Sequence, residues 1–395
     1  MNLDSEEFEN VDFIIDLLDV VKSLSKLVEK DKESDPLMSD YLDLGNACYN
    51  SYEECLSVLE GVQDKAVASS ISEDRKKYLK DILRSLSVQC REGMGESFSY
   101  SELVEAYVGV PGKPVTEGEI KELRDELMEG LAMIGIGGSL SEALNSWKNT
   151  VVIEKDNFKA KSDDLFDESR NKTEQIISLP EESEIIFEPV EDEWYRGYSD
   201  SIAPYKGKIT LNIDLEWTNP ELKKVVAHEG YPGHFAISSV QRKLVEERVL
   251  PPEYSFSLAN TPVTPIVEGT CNLGIYLLGW FNDYNDYISW IYENLRTAVF
   301  TNSCFLYHEE ERKKDDIISY FTETSGAPLS TAEQRFRFIK HPLWHTSIPH
   351  YWYGTNAVFE AYVNSKKDND LQRFIDELYY KVHTYSSFKE EFGLK

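Results

Sequence analysis

In the stretch FIIDLLDVVKSLSKLVEK, residues 13–30, the apolar side chains Ile14, Leu17, Leu18, Val21, Leu24 and Leu27 return at steps of three and four. On a helix this spacing lays them along one face, and burial against another element is what stabilises such a face. The pattern recurs over 37–60, 74–90 and 117–147, with breaks at GVPGKP (109–114) and GIGG (135–138). Residues 6 to about 150 are therefore expected to form successive amphipathic helices, a scaffold. GIGG is too short and too poorly placed for a phosphate loop.

The scaffold is not the whole chain. At 395 residues the protein exceeds the usual size of a single core. Around residue 180 the composition changes: SEIIFEPV and KITLNIDL carry β-branched residues bounded by Pro, Gly and Asp, which predicts short strands at 184–188 and 208–213. A helix is expected to follow from about Pro220, capped by Asn219. Beyond 265 the chain reads as helical and aromatic to its end. These elements predict a mainly α protein with a small β-sheet beside the helix that carries the chemistry. The expected division is 1–180 as helical scaffold and 181–395 as catalytic part, joined as one two-lobed unit with a cleft.

Charge and cysteine usage exclude several classes. With 71 acidic against 41 basic residues the formal net charge is -30, which repels nucleic acid and anionic membrane surfaces. The five cysteines are odd in number and include no CxxC pair, so neither a disulfide framework nor a thiolate zinc site is expected. The amino terminus is acidic where a signal peptide is basic, and no run reaches the roughly 18 apolar residues of a membrane span. A cytoplasmic protein is expected.

The segment VVAHEGYPGHF, residues 225–235, concentrates chemistry. A hydrolytic zinc site needs about three protein ligands, an open position and a nearby carboxylate that takes a proton from water. His228, Glu229 and His234 offer two imidazoles and one carboxylate. Six residues of ideal helix turn about 240° and rise about 9 Å, which would point the two imidazoles apart. Pro232 lacks the amide that continues a helix and Gly233 reaches conformations closed to other residues, so YPG is expected to break the helix and return His234 toward His228.

HEGYPGH closely resembles the His-Glu-Ala-Tyr/Phe-Pro-Gly-His hallmark of the domain of unknown function 885 family, zincin-like helical proteins regarded as metal-dependent peptidases. That family's later Glu-Gly-Trp is similar to VEGTCNLGIYLLGW, with Glu268 and Gly269 in place. Its Arg-Tyr-Ile block is similar to RFIKHPLWHTSIPHYWYG, residues 337–354. The resemblance spans roughly 180–365. It departs at Phe235, where the family often has a second His, at Thr270 in place of Trp, and at Leu343 and Trp344 in place of Gly-Gln.

The resemblance and the residue chemistry together imply a zincin-like metallohydrolase, a peptidase acting on short peptides with one Zn2+ ion. His228, His234 and Glu268 are the expected ligands and Glu229 the general base. Glu268 lies among apolar neighbours, where a buried charge requires a partner. His350, Tyr353 and Arg337 are expected to stabilise an oxyanion or grip a substrate carboxylate. Tyr205, Asn212 and Tyr351 are candidates for substrate binding.

Other readings stand beside this one. His341 and His345, four apart, would form a metal pair on a helix. Cys271 reads as a buried, inert thiol, His308 as part of a solvated helix face and His383 as structural. His and carboxylate ligands also suit an iron oxidoreductase, and an acidic helical body with a degenerate site suits a scaffold without catalysis.

Overall fold

Residues 12–32, 38–40, 45–193, 196–254, 256–258 and 260–395 are described by the computed structural model. The first helices are α1 (Asp12–Lys32), α2 (Tyr52–Ala68), α3 (Glu73–Gly93), α4 (Tyr100–Tyr107), α5 (Glu117–Met133), α6 (Leu140–Val151) and α7 (Lys155–Thr173). Local chemistry sets their starts. Ser51 and Ser72 accept from the amides of Glu54 and Arg75, and Ser99 with Glu102 and Thr116 with Glu119 form reciprocal capping boxes. The break at GIGG is real: Gly135 and Gly138 take φ of 82° and 115°, where a Cβ is disfavoured. Among the described residues of the helix expected over 37–60, the part from Tyr52 is helical; residues 6–11, 37 and 41–44 lie outside the described residues.

Strand β1 (Met38–Asp40) pairs antiparallel with β5 (Phe256–Leu258). The main sheet has three strands, β2 (Glu184–Val190), β3 (Gly197–Ala203) and β4 (Lys206–Asn212), in the order β2-β4-β3. β4 is central and largely buried, parallel to β2 and antiparallel to β3. The two strands expected from sequence are thus present, and β3 is additional. Its sequence GYSDSIA lacks apolar alternation; as an edge strand it forms by pairing to β4, with an irregularity between Ser201 and Ala203.

Helix α8 (Asn219–Val225) follows, capped by Thr218 rather than Asn219, with Pro220 in its first turn. It continues as a π-turn, Val226–Gly230, and after Tyr231–Gly233 the chain enters α9 (His234–Glu246). The remainder is α10 (Thr264–Leu277), α11 (Tyr284–His308), α12 (Lys314–Ser325), α13 (Leu329–Ile339), α14 (Ile348–Lys367), α15 (Leu371–Tyr379) and α16 (Tyr385–Glu391). Among the described residues no helix is long and apolar enough to cross a membrane.

The chain forms two compact units, one of Met1–Lys113, Val240–Ile266 and Lys340–Lys395, the other of Pro114–Ser239 and Val267–Ile339. The division expected at 180 does not match these boundaries. Aromatic packing explains why: Phe166 of α7 meets Phe187 of β2 at 5.3 Å, and a Cβ on Gly230 would lie 3.1 Å from Phe166 and 3.2 Å from Ile185. The helix before residue 180 is therefore packed on the segment that carries the His-Glu pair.

The first unit buries the face read from sequence. Ile14, Leu17, Leu18, Val21 and Leu24 pack with Leu59, Val62, Leu79, Ile82 and Leu86, and Leu343 joins this core. Leu343, a departure from the resembled family, thus has a packing role. A fully buried ion pair, Arg75 Nε to Glu253 Oε1 at 2.6 Å and Nη2 to Oε2 at 2.9 Å, ties α3 to the segment before β5.

Candidate metal centre

The second unit contains the HEGYPGH segment whole. Its π-turn carries His228 and Glu229, and the peptide bond before Pro232 is cis. Gly233 then folds back so closely that its amide donates to the Ala227 carbonyl at 2.9 Å, and a Cβ at Gly233 would collide with the carbonyl oxygens of His228 and Ala227. Only glycine fits there. The return brings the two imidazoles together, with ring centroids 4.9 Å apart and planes at 78°. The break expected at YPG is present, and the π-turn before it widens the helix ahead of the break.

Helix α10 supplies the third group. Gly274 lets it approach the π-turn, since a Cβ there would lie 3.1 Å from Ala227 Cβ. One turn and a half earlier on the same helix, Glu268 reaches both imidazoles: Oε2 lies 3.3 Å from His228 Nε2 and Oε1 3.4 Å from His234 Nε2. One ligand atom from each of His228, His234 and Glu268 lies within 4.8 Å of the others, and this is the one such group of three among the described residues.

Protons decide what the cluster can hold. His228 Nδ1 lies 3.1 Å from Asn272 Oδ1, an acceptor, so the network assigns the proton to Nδ1 and leaves the Nε2 lone pair facing Glu268. Two acceptors then face each other at 3.3 Å. Glu268 Oε2 is buried and makes no hydrogen bond, an arrangement that calls for a cation between the groups. The donor set, two imidazoles and one carboxylate, fits a divalent transition ion.

Cys271, three residues after Glu268, is buried, and burial, with the neighbouring Glu268 and Glu229 charges and against His234, pushes its thiol up to about 11. Glu229 is half-buried in the turn between the two histidines. Phe235 is buried edge-on to Tyr231 at 5.3 Å, and a Cβ on Gly207 would lie 2.6 Å from its ring, so this residue packs α9 under β4. Asn272 was not legible beforehand; its only sequence signal is its place four residues after Glu268.

The remaining candidates are each described within their own unit. His350, Tyr351 and Tyr353 are on α14 in the first unit; His350 is buried with its ring 4.1 Å from that of Tyr351, and the Tyr353 hydroxyl donates to the Lys113 carbonyl at 2.8 Å. Arg337 is in the second unit, exposed on α13. Tyr205 occupies the β3–β4 turn with φ 58°, and its carbonyl accepts from Glu184. Asn212 is buried, its amide group donating to the Glu193 carbonyl and accepting from the Asp214 amide, which anchors its own loop.

His341 and His345 are not on a helix. The Leu343 and Trp344 amides donate to His341 Nδ1, and His345 Nδ1 lies 2.8 Å from the His341 carbonyl. His308 is half-buried rather than solvated, its Nε2 2.7 Å from the Ile339 carbonyl, and burial lowers its pKa. His383 pairs with Glu377 at 2.9 Å, a structural role as expected.

No family model and no curated protein matches this chain. Two solved structures share its fold, both described with the words "putative lipoprotein". The one from Colwellia psychrerythraea has a TM-score of 0.62 at 15% identity, over 94% of this chain and 68% of that chain. The one from Shewanella oneidensis, described as of unknown function, has a TM-score of 0.56 at 13% identity, over 86% and 72%.

Proposed function

We propose that the protein is a zincin-like, metal-dependent hydrolase acting on short peptides, with His228, His234 and Glu268 holding one divalent ion, Zn2+ by preference, and Glu229 as general base. The observation that carries this reading is the buried, hydrogen-bond-free Glu268 oxygen facing the His228 lone pair. A divalent ion held there supplies Lewis acidity, polarising a carbonyl and making water acidic near neutral pH. Asn272 keeps His228 in the tautomer that presents Nε2. The Glu229 carboxylate, adjacent in sequence to a ligand, accepts a proton from the attacking water and returns it to the leaving amine nitrogen. The resemblance to the domain of unknown function 885 family supports the same assignment.

A cytoplasmic location belongs to this reading, supported by five cysteines that form no disulfide. The lipoprotein descriptions of the two structural neighbours point to another compartment, and cell fractionation decides between them. Metal analysis of protein purified without added metal, together with turnover of a peptide library, tests the function. About one zinc per chain, with Glu229→Gln keeping the metal and losing hydrolysis, is the expected result. Iron with oxygen consumption would replace the hydrolase by an oxidoreductase, and full activity in Glu229→Gln would remove the proposed base.

A further inference from the structure

The second unit gathers a second set of charges away from the ligands. Lys148 on α6, Arg196 ahead of β3, Lys224 on α8 and Arg296 on α11 accompany the carboxylates Glu216, Glu221 and Glu293. Arg196 Nη2 pairs with Glu221 Oε2 at 2.6 Å and Lys224 Nζ with Glu293 Oε1 at 3.5 Å, while Arg296 pairs with Glu293 as well. The Lys148 ammonium and the Arg296 guanidinium both face the Tyr292 ring, at 5.2 and 5.0 Å from its centroid. Glu221 acts electrostatically on Lys148, Lys224 and Arg296, so these groups form one cluster.

A partly buried ion-pair network that serves stability alone tends to balance its charges, because an uncompensated charge withdrawn from water is costly. This one sets Lys148, Arg196, Lys224 and Arg296, with Arg335 acting on Glu293, against Glu216, Glu221 and Glu293, in a chain whose formal net charge is -30. Its donors are also incompletely used. Arg196 Nε, Arg296 Nε and the Tyr292 hydroxyl are buried without a hydrogen-bond partner. Excess positive charge together with unused donors is the chemistry that takes an anion. The cluster adjoins the metal ligands along the chain, since Lys224 stands four residues ahead of His228 in the continuous run from α8 into the π-turn.

We infer that this cluster is an anion subsite for a free carboxylate, which makes peptides with an unblocked carboxylate the substrate class. The word substrate rests on the hydrolase reading; the binding does not. The test is calorimetric titration of the Glu229→Gln protein, in which turnover is stopped, with N-acetyl-Ala-Ala, N-acetyl-Ala-Ala-amide, N-acetyl-Glu-Ala-amide and inorganic phosphate. Either acid is expected to bind about tenfold or more tighter than the uncharged amide, the scale of one charge-assisted hydrogen bond, and Lys224→Met to erase that ratio. A preference for one acid identifies the carboxylate as terminal or side-chain.

Equal affinity for acids and amide, or no binding by any peptide, overturns the subsite. Phosphate bound more tightly than both acids overturns its assignment to carboxylates. Should Lys224→Met fail to fold, the acid-to-amide ratio with the cluster intact decides by itself. An intact acid preference in a protein that hydrolyses nothing would break the hydrolase reading and leave the subsite standing.

Discussion

Two histidine pairs in this molecule invert what their spacings suggest. His341 and His345, four residues apart, lie in a turn-rich segment of the first unit, where local backbone groups engage both Nδ1 atoms. His228 and His234, six apart, lie across a π-turn and a Pro-Gly break in the second unit, and both Nε2 atoms face one buried carboxylate. A spacing rule assumes a backbone. Four-residue spacing builds a ligand pair only on a helix, and six-residue spacing builds one where the chain is turned back by residues that cannot continue it.

Replacing the residue that makes the turn possible should break this contrast most severely. Gly233→Ala drives a methyl into the His228 and Ala227 carbonyl oxygens, and a shift there moves both imidazoles. We expect a loss of about 3 kcal/mol in denaturant unfolding together with loss of stoichiometric metal, the overpacking and strain both acting at a site that cannot relax. A variant that retains full metal content would show that the tight return is unnecessary.

Next in size is the ligand comparison itself. His234→Ala is expected to abolish stoichiometric metal in elemental analysis, whereas His345→Ala leaves it unchanged. The opposite pattern would transfer the site to the first unit. Asn272→Ala should act more mildly. It removes the acceptor that orients His228 without touching a ligand, and a drop of about tenfold to a hundredfold in zinc affinity by competition with a chelating dye is expected. Unchanged affinity would mean that the tautomer is set by something else.

The smallest expected effect separates the site from its frame. Glu293, on α11, is held below the usual carboxylate range: burial opposes its charge, and Arg296, Lys224 and Arg335 outweigh that. A depressed folded-state pKa contributes stability that is fully present above the unfolded value of about 4.3 and is lost as pH falls below it. Unfolding by urea at about pH 5 and about pH 3 should therefore show a smaller acid loss for Glu293→Gln than for wild type, with metal content at neutral pH unaffected. Equal losses would deny Glu293 a part in acid sensitivity.

How much of this was legible in the sequence follows from where each feature gets its determinants. The α1 face was legible because helix periodicity needs only its own residues, and Ile14, Leu17, Leu18, Val21 and Leu24 are all buried. Among the candidate ligands, His and a Pro-Gly break are rare enough to stand out, whereas Glu268 was reached through the family resemblance, with its apolar setting in support. Features that depend on pairing across the chain were not legible. β3 exists because β4 offers it hydrogen bonds, and Asn272 matters only once α10 lies against the π-turn. The expected division at 180 differs from the two compact units because it assumed contiguous segments, whereas 240–266 and 340–395 belong with the first unit. The cationic cluster of Lys148, Arg196, Lys224 and Arg296 draws on common residue types far apart in the chain and carried no local signal.

The central claim is that the broken helix delivers two imidazoles and one carboxylate, and no thiolate, to one ion. X-ray absorption spectroscopy of the zinc-loaded protein tests it most directly. The expected first shell is nitrogen and oxygen at about 2.0–2.2 Å, with outer-shell scattering from two imidazoles. A sulfur scatterer near about 2.3 Å, imidazole scattering that survives in His228→Ala unchanged, or protein that takes up no zinc would contradict it.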